Sequence, residues 1–419
     1  MSRLFATLCC VLLLSACSGL WNDDSSADGE PVEDSEALSF DDAAFDDAAF
    51  EKDSFEEGDD EAVNNEPKEL NSIEATVKIK KIWRNSIGSS DDEYQPTLHP
   101  AIGDGVVYAA SNRGRISAWS IEKGKRLWRT DLDISLSGGV GFGAGLVVVG
   151  TAKGELIALD ATTGEERWRV TLSSEILSAP AAQGDLLVAQ TQDGKVYGLS
   201  VASGEEIWRY SVEVPVLTLR GTAGPLVTPR MVITGFANGK LVALNAATGA
   251  LLWEAKLATG EGKSELEKMV DVNSPIMGNE VVYATSYQGR AGAFSRGTGR
   301  ELWAQKSSSY HPPAFGLGRL FVADTEGQVL RLRSSGGRAE WTNTDLLRRG
   351  LTPPLAVGGY VLVADSEGFL HALSQADGVI GGRVKVDGDG VAVAMVSDGE
   401  TIFVQDRDDD LSAYQLIAK

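Results

Sequence analysis

Three cysteines and three histidines are the side chains of this 419-residue sequence best suited to soft-metal or nucleophilic chemistry, and their positions limit what it could do. Cys9, Cys10 and Cys17 all lie in the first seventeen residues, so the rest of the chain offers no thiolate for catalysis, zinc or an internal disulfide. His99, His311 and His371 are scattered without ligand spacing, so neither a zinc site nor a redox-metal site is expected. Acids are plentiful, yet no paired-carboxylate or nucleophile–base pattern stands out. Asp160 and its equivalents beside Thr-Gly pairs suit turns. No cofactor is expected. That leaves Cys17.

Cys17 ends a leader. Arg3 precedes a largely apolar run, Leu4 to Leu14, interrupted by Thr7 and followed by Ser15-Ala16-Cys17. Eleven residues are too few for a bilayer, which needs ~20. A positive start, a short apolar stretch and small residues before a cut read as a signal peptide over 1–16. The Leu14-Ser15-Ala16-Cys17 ending resembles the bacterial lipobox, which implies lipidation of Cys17 as the mature N-terminus. Ser18 at the next position implies sorting to the outer membrane, on its periplasmic side. Several acyl chains anchor stably, since each buried CH₂ contributes ~0.8 kcal/mol.

The charge is unevenly placed. Of a net −22, residues 18–75 hold 21 acids against Lys52 and Lys68, while 76–419 is nearly neutral. Such a composition cannot offset its ordering entropy, so 17–75 is expected to be a lipidated, disordered tether reaching ~40 Å root-mean-square. Phe40, Phe45, Phe50 and Phe55 recur within it at intervals of five, a period of neither helix nor strand. The near-neutral body carries no basic footprint for nucleic acid.

From Thr76 the chain repeats. Gly is followed fourteen residues later by Trp at Gly114/Trp128, Gly154/Trp168, Gly194/Trp208, Gly239/Trp253, Gly289/Trp303 and Gly327/Trp341. A second Gly stands four residues before each of these tryptophans, at Gly124, Gly164, Gly204, Gly249, Gly299 and Gly337. A large apolar residue follows each leading Gly by five. The glycines suit tight hairpin turns between β-rich runs such as Leu146-Val147-Val148-Val149. Each unit thus reads as a four-stranded antiparallel sheet, and units of ~40 residues stack radially into a propeller, with the tryptophans as cement between blades.

Eight blades are expected. A seventh unit keeps Gly368, Leu373 and Gly378 but has Gly382 in place of Trp, and an eighth is cut short at Lys419. Lys80-Lys81-Ile82-Trp83-Arg84 mirrors Lys125-Arg126-Leu127-Trp128-Arg129 and supplies the missing outer strand, so the N-terminal strand closes the ring within the last blade. Seven blades stay compatible with the sequence if the degenerate end packs differently. The fold class is all-β, with the propeller spanning 76–419.

Ala158 to Trp168 (Ala-Leu-Asp-Ala-Thr-Thr-Gly-Glu-Glu-Arg-Trp) resembles the repeat of pyrroloquinoline-quinone propellers. These include quinoprotein dehydrogenases and the non-enzymatic BamB family of outer-membrane assembly lipoproteins. The repeat alone does not choose between the two. The lipobox, the cysteine-free body and the lack of large inserts favour the BamB family. Asp345 to Pro353 and Asp365 to His371 also look like segments of that family. The resemblance implies a scaffold of the barrel assembly machinery that binds the POTRA domains of BamA, assists barrel insertion, meets nascent barrel proteins, and is not an enzyme.

Loop length marks where such a partner would dock. Trp to the next leading Gly is 24 to 27 residues at four junctions, but 31 for Trp208→Gly239 and 36 for Trp253→Gly289. These two long connections are neighbours in the ring. The resemblance places partner contacts on them, at Leu217, Leu219 and Arg220 and at the paired-acid positions Asp271 and Asn273. Asn273 departs from the family's second acid. On sequence alone, Leu217 and Leu219 at strand spacing could equally face the core.

Overall fold

The computed structural model describes residues 65–88, 98–221, 223–386 and 390–419. The leader, Cys17 and the acidic stretch up to residue 64 lie outside them. Every regular element among the described residues is a strand, and no helix there is long and apolar enough to cross a membrane.

The thirty-two strands form eight four-stranded antiparallel sheets. Blades 1 to 7 each take four consecutive strands, spanning 101–131, 138–171, 181–211, 226–256, 276–306, 314–343 and 355–385. The eighth takes three from the C-terminus and one from the N-terminus. Its outer strand Val77–Ser86 pairs with Asp410–Ala418 from Val77↔Ala418 to Ser86↔Asp410. The ring closes as the mirrored Lys80–Arg84 stretch requires.

Middle strands are sandwiched between neighbouring blades, which is why they read as unbroken apolar runs. Leu146–Gly150 is buried throughout, whereas the outer strand Glu166–Thr171 of the same blade is largely solvent-facing. The outer strand is bulged at one point in every blade. In blade 2, Ala158 pairs with Trp168 and Leu159 with Glu166, so Arg167 is skipped. The closure strand skips Ile82 before Trp83 in the same way. A bulge increases local twist and re-aims the next side chain, here turning each indole onto the following blade.

The tryptophans are interblade joints. Trp128 Nε1 donates to Ala161 O at 2.9 Å, and Trp208 Nε1 to Ala246 O at 2.8 Å, both on the next blade. Trp83, Trp168, Trp253, Trp303 and Trp341 repeat that bond. The turn glycine of the next blade lies flat under each ring. At Gly164, with φ +75°, an added Cβ would stand 2.5 Å from Trp128 Cε3. Gly382 holds the Trp position of blade 7, and Val77 of the closure strand occupies that space, 2.8 Å from where a Cβ would be. At the leading-Gly position of blade 5 the positive φ falls on Gln288 instead of Gly289, and blade 8 uses Asp409 at φ +59°.

Candidate partner-binding site

In an up-and-down blade, the turn between the second and third strands and the exit of the fourth strand lie at the same end. All interblade connections therefore gather on one face of the ring. At its centre is a cavity of about 400 Å³, reached by the segments leading into successive inner strands, including His99, Ser178, Ala223, Ser274, Pro312 and Pro353.

The first long connection forms one wall of this mouth. Val216 is 93% exposed and Leu217 40%, Leu219 is half-buried, and none of them belongs to the buried core. The leucines thus stand on the connection face. The loop has little regular structure but is held from both sides. Gln192, on the turn of blade 3, donates from Nε2 to Thr218 Oγ1 at 3.0 Å and to Leu219 O at 3.2 Å. Leu219 N donates to Asp271 Oδ1 at 3.1 Å. Arg220 lies at the cavity rim, 3.3 Å from Glu175, and remains half-exposed.

Asp271 is 6% exposed, so it is a clamp for the neighbouring loop and presents little surface of its own. Its Oδ2 is buried and has no hydrogen-bond partner among the described residues. Burial, only partly opposed by the Leu219 N–H, pushes its carboxyl up to about 6. Asn273 turns toward the next connection. Its Nδ2 donates to Thr285 Oγ1, Ser309 O and His311 O at 3.1, 2.9 and 3.1 Å. A carboxylate has no proton to give these acceptors, which is the physical reason an amide suits this position.

Of the five sequence-derived residues, Leu219 and Asp271 touch directly, Leu217 and Arg220 share their loop, and Asn273 braces the junction behind. Gln192 was missed because it reads as an ordinary turn residue, and only the fold of blade 3 brings that turn beneath the connection leaving the same blade. Two further exposed apolar groups stand on the same face. Leu266, 60% exposed, sits on a turn held reciprocally by Ser264 and Glu267, where Glu267 Oε2 accepts the Lys263 and Ser264 N–H groups and Ser264 Oγ accepts the Glu267 N–H. Tyr310, 48% exposed, stacks on Tyr287 at 4.9 Å.

The cavity does not suit a quinone cofactor with its calcium. Arg220 is the one Lys or Arg among the lining residues, and it already faces Glu175. His311 is held neutral, its ring pushed down to about 4 by burial while Nε2 donates to Leu351 O. No group of three His, Cys, Asp or Glu that could hold a metal occurs among the described residues.

A ring of Trp-stapled four-stranded blades, closed by its N-terminal strand and carrying its longest loops on one face, defines an eight-bladed propeller of the pyrroloquinoline-quinone-repeat class. The family model described as outer membrane protein assembly factor BamB matches residues 79–135 and 112–343. The outer membrane protein assembly factor BamB of Pseudomonas aeruginosa is 47% identical over 351 residues, 84% of this chain and 92% of that protein. The Escherichia coli protein of the same name is 31% identical over 350 residues, 81% of this chain and 89% of that one. The crystal structure of BamB from Moraxella catarrhalis superposes with a TM-score of 0.74 at 29% identity, covering 80% of this chain and 99% of that one. A quinohemoprotein alcohol dehydrogenase from Comamonas testosteroni shares the fold at 14% identity, with a TM-score of 0.62 over 80% of this chain and 76% of that one. The chain belongs to the BamB family.

Proposed function

We propose that this protein is a non-enzymatic scaffold for assembling β-barrel proteins into the outer membrane, and that the Leu217–Arg220 loop is its docking point for the POTRA domains of BamA. The observation that carries the reading is the state of that loop. Leu217 and the Arg220 side chain are exposed, while the backbone behind them is fixed by Gln192 and Asp271. A preformed loop loses little conformational entropy on binding, and an Arg beside apolar groups is a common interface anchor. Asp271 and Asn273 contribute by holding this face in shape. Val216 widens the contact on the same loop, and Leu266 and Tyr310 extend it onto the following connections.

Cleavage after residue 16 and lipidation of Cys17 would place the propeller on the periplasmic side of the outer membrane, with the acidic stretch as leash. Contact with nascent barrel proteins belongs to the same reading. Affinity capture from detergent-solubilised envelopes tests it: the tagged protein should bring down the barrel-assembly partners, and Leu219→Ala should bring down less. Capture without those partners would overturn the scaffold reading.

A further inference from the structure

Residues 65–76 have no regular structure until the closure strand begins, yet they are bound along their length to blade 7 and the connection leading into it. Lys68 N donates to Leu347 O at 3.0 Å, and Thr76 N to Gly381 O at 2.9 Å. Arg348 Nε donates to Glu66 O at 2.8 Å, Arg349 Nη1 to Lys68 O at 2.9 Å, and Arg383 Nη1 to Asn71 O at 2.9 Å. Leu70 and Ile73 pack against the core cluster that includes Leu346, Leu351 and Ile380.

The arginines are themselves held in place. Arg349 is 2% exposed, with Nε 2.6 Å from Asp365 Oδ2 and Nη2 on Glu367. His371, fully buried, is 2.9 Å from the same Asp365 oxygen through Nε2, while its Nδ1 accepts from Arg383 Nε at 3.2 Å. That acceptor role leaves the ring proton on Nε2, pointing at Asp365. Arg348 sits at φ +58°, a conformation that a non-glycine residue keeps only where its surroundings demand it. Three arginine side chains thus converge on the carbonyl oxygens of Glu66, Lys68 and Asn71.

We propose that Arg348, Arg349 and Arg383, organised by Asp365 and His371, form a main-chain binding site whose ligand is this chain's own strap, residues 66–76. The site fixes where the upstream chain leaves the propeller, beside Leu347 on the connection face. It also shields ring closure: a pull on the upstream chain meets the strap before it can peel Val77 from Ala418. Two segments that look like those of the family, 345–353 and 365–371, contribute residues to this site. Because the strap is read through carbonyl groups, its sequence matters less than its extended path and the two apolar residues Leu70 and Ile73.

Amide hydrogen exchange on the full chain tests this. Arg348→Ala with Arg383→Ala should raise exchange at Lys68 and Thr76 by about tenfold or more, the equivalent of losing charge-assisted hydrogen bonds, and should loosen the Val77 end of the closure strand. Amides in blades 2 to 5 should be unaffected. Arg348→Ala alone, at an exposed side chain bonded to Glu66 O, decides the matter if the double variant destabilises the whole ring. Fast exchange at Lys68 in the unaltered protein, or unchanged protection at Lys68 and Thr76 once the arginines are removed, would overturn the strap site.

Discussion

Replacing Asp271 with Asn should remove part of the pH dependence of folding while leaving the binding loop in place. The carboxyl is displaced from about 3.8 to about 6, because its ionised form is buried with one hydrogen bond from Leu219 N and none to Oδ2 among the described residues. Each pH unit of displacement is worth about 1.4 kcal/mol, so the ionised group costs at most about 3 kcal/mol, less whatever residual solvation relieves. The sign follows from the raised value. Below pH ~3.8 both folded and unfolded chains hold the proton. Between ~4 and ~6 the unfolded chain gives it up first, and stability falls as pH rises; above ~6 the difference is constant. Asp271→Asn keeps an oxygen to accept from Leu219 N and never ionises. At pH 7.5 it should therefore be as stable as the parent or more so, by up to about 3 kcal/mol. Asp271→Ala leaves that N–H unpaired and should be about 1–3 kcal/mol less stable than Asp271→Asn. Urea unfolding of all three proteins at pH 4, 5, 6 and 7.5 measures this. Asp409, also raised to about 6, contributes equally to each curve and cancels in the differences. If Asp271→Asn were less stable at pH 7.5 and kept the full pH slope, the carboxylate would be well paired and the account of the clamp would be wrong.

Trp208→Ala should lower unfolding free energy by about 3–5 kcal/mol, since the indole is 6% exposed and bridges to Ala246 O; denaturant titration reads this directly. Gly164→Ala should cost clearly more than Gly105→Ala, although both have positive φ, because the added methyl meets Trp128 at the first and open space at the second; paired thermal melts compare them. Cys17→Ser should abolish metabolic lipid labelling while the soluble protein keeps its β-sheet circular dichroism. Reconstitution with pyrroloquinoline quinone and calcium should give no stable chromophore and no dye-linked oxidation above the apo control.

The propeller was readable because one contact is repeated. A Trp on one blade needs a glycine on the next, so both recur at fixed spacing. The closure strand was readable because Lys80–Arg84 obeys the same rule and even carries the same bulge. Loop length also pointed to two neighbouring connections, which the structure joins through Leu219 N and Asp271. The internal roles of the candidate site were not legible. Asp271 reads as a partner-contacting acid, but it is a buried clamp on an amide 52 residues away, a partnership created by the packing of two consecutive blade connections. The bracing role of Asn273 is visible only in its three acceptors. The strap was hidden more deeply. Residues 65–75 continue the polar composition of the preceding acidic stretch, and composition carries no record of which carbonyl groups three distant arginines will bind.

Titrating the isolated periplasmic domains of BamA against the parent protein and the Arg220→Ala variant tests the central claim most directly, with melting temperatures taken on the same samples. Arg220 is half-exposed on a loop fixed by other residues, so its loss leaves no cavity and the melting temperature should hold. Affinity should fall by about 2 kcal/mol, roughly thirtyfold. Unchanged affinity at unchanged stability would contradict the assignment of this loop as the docking point.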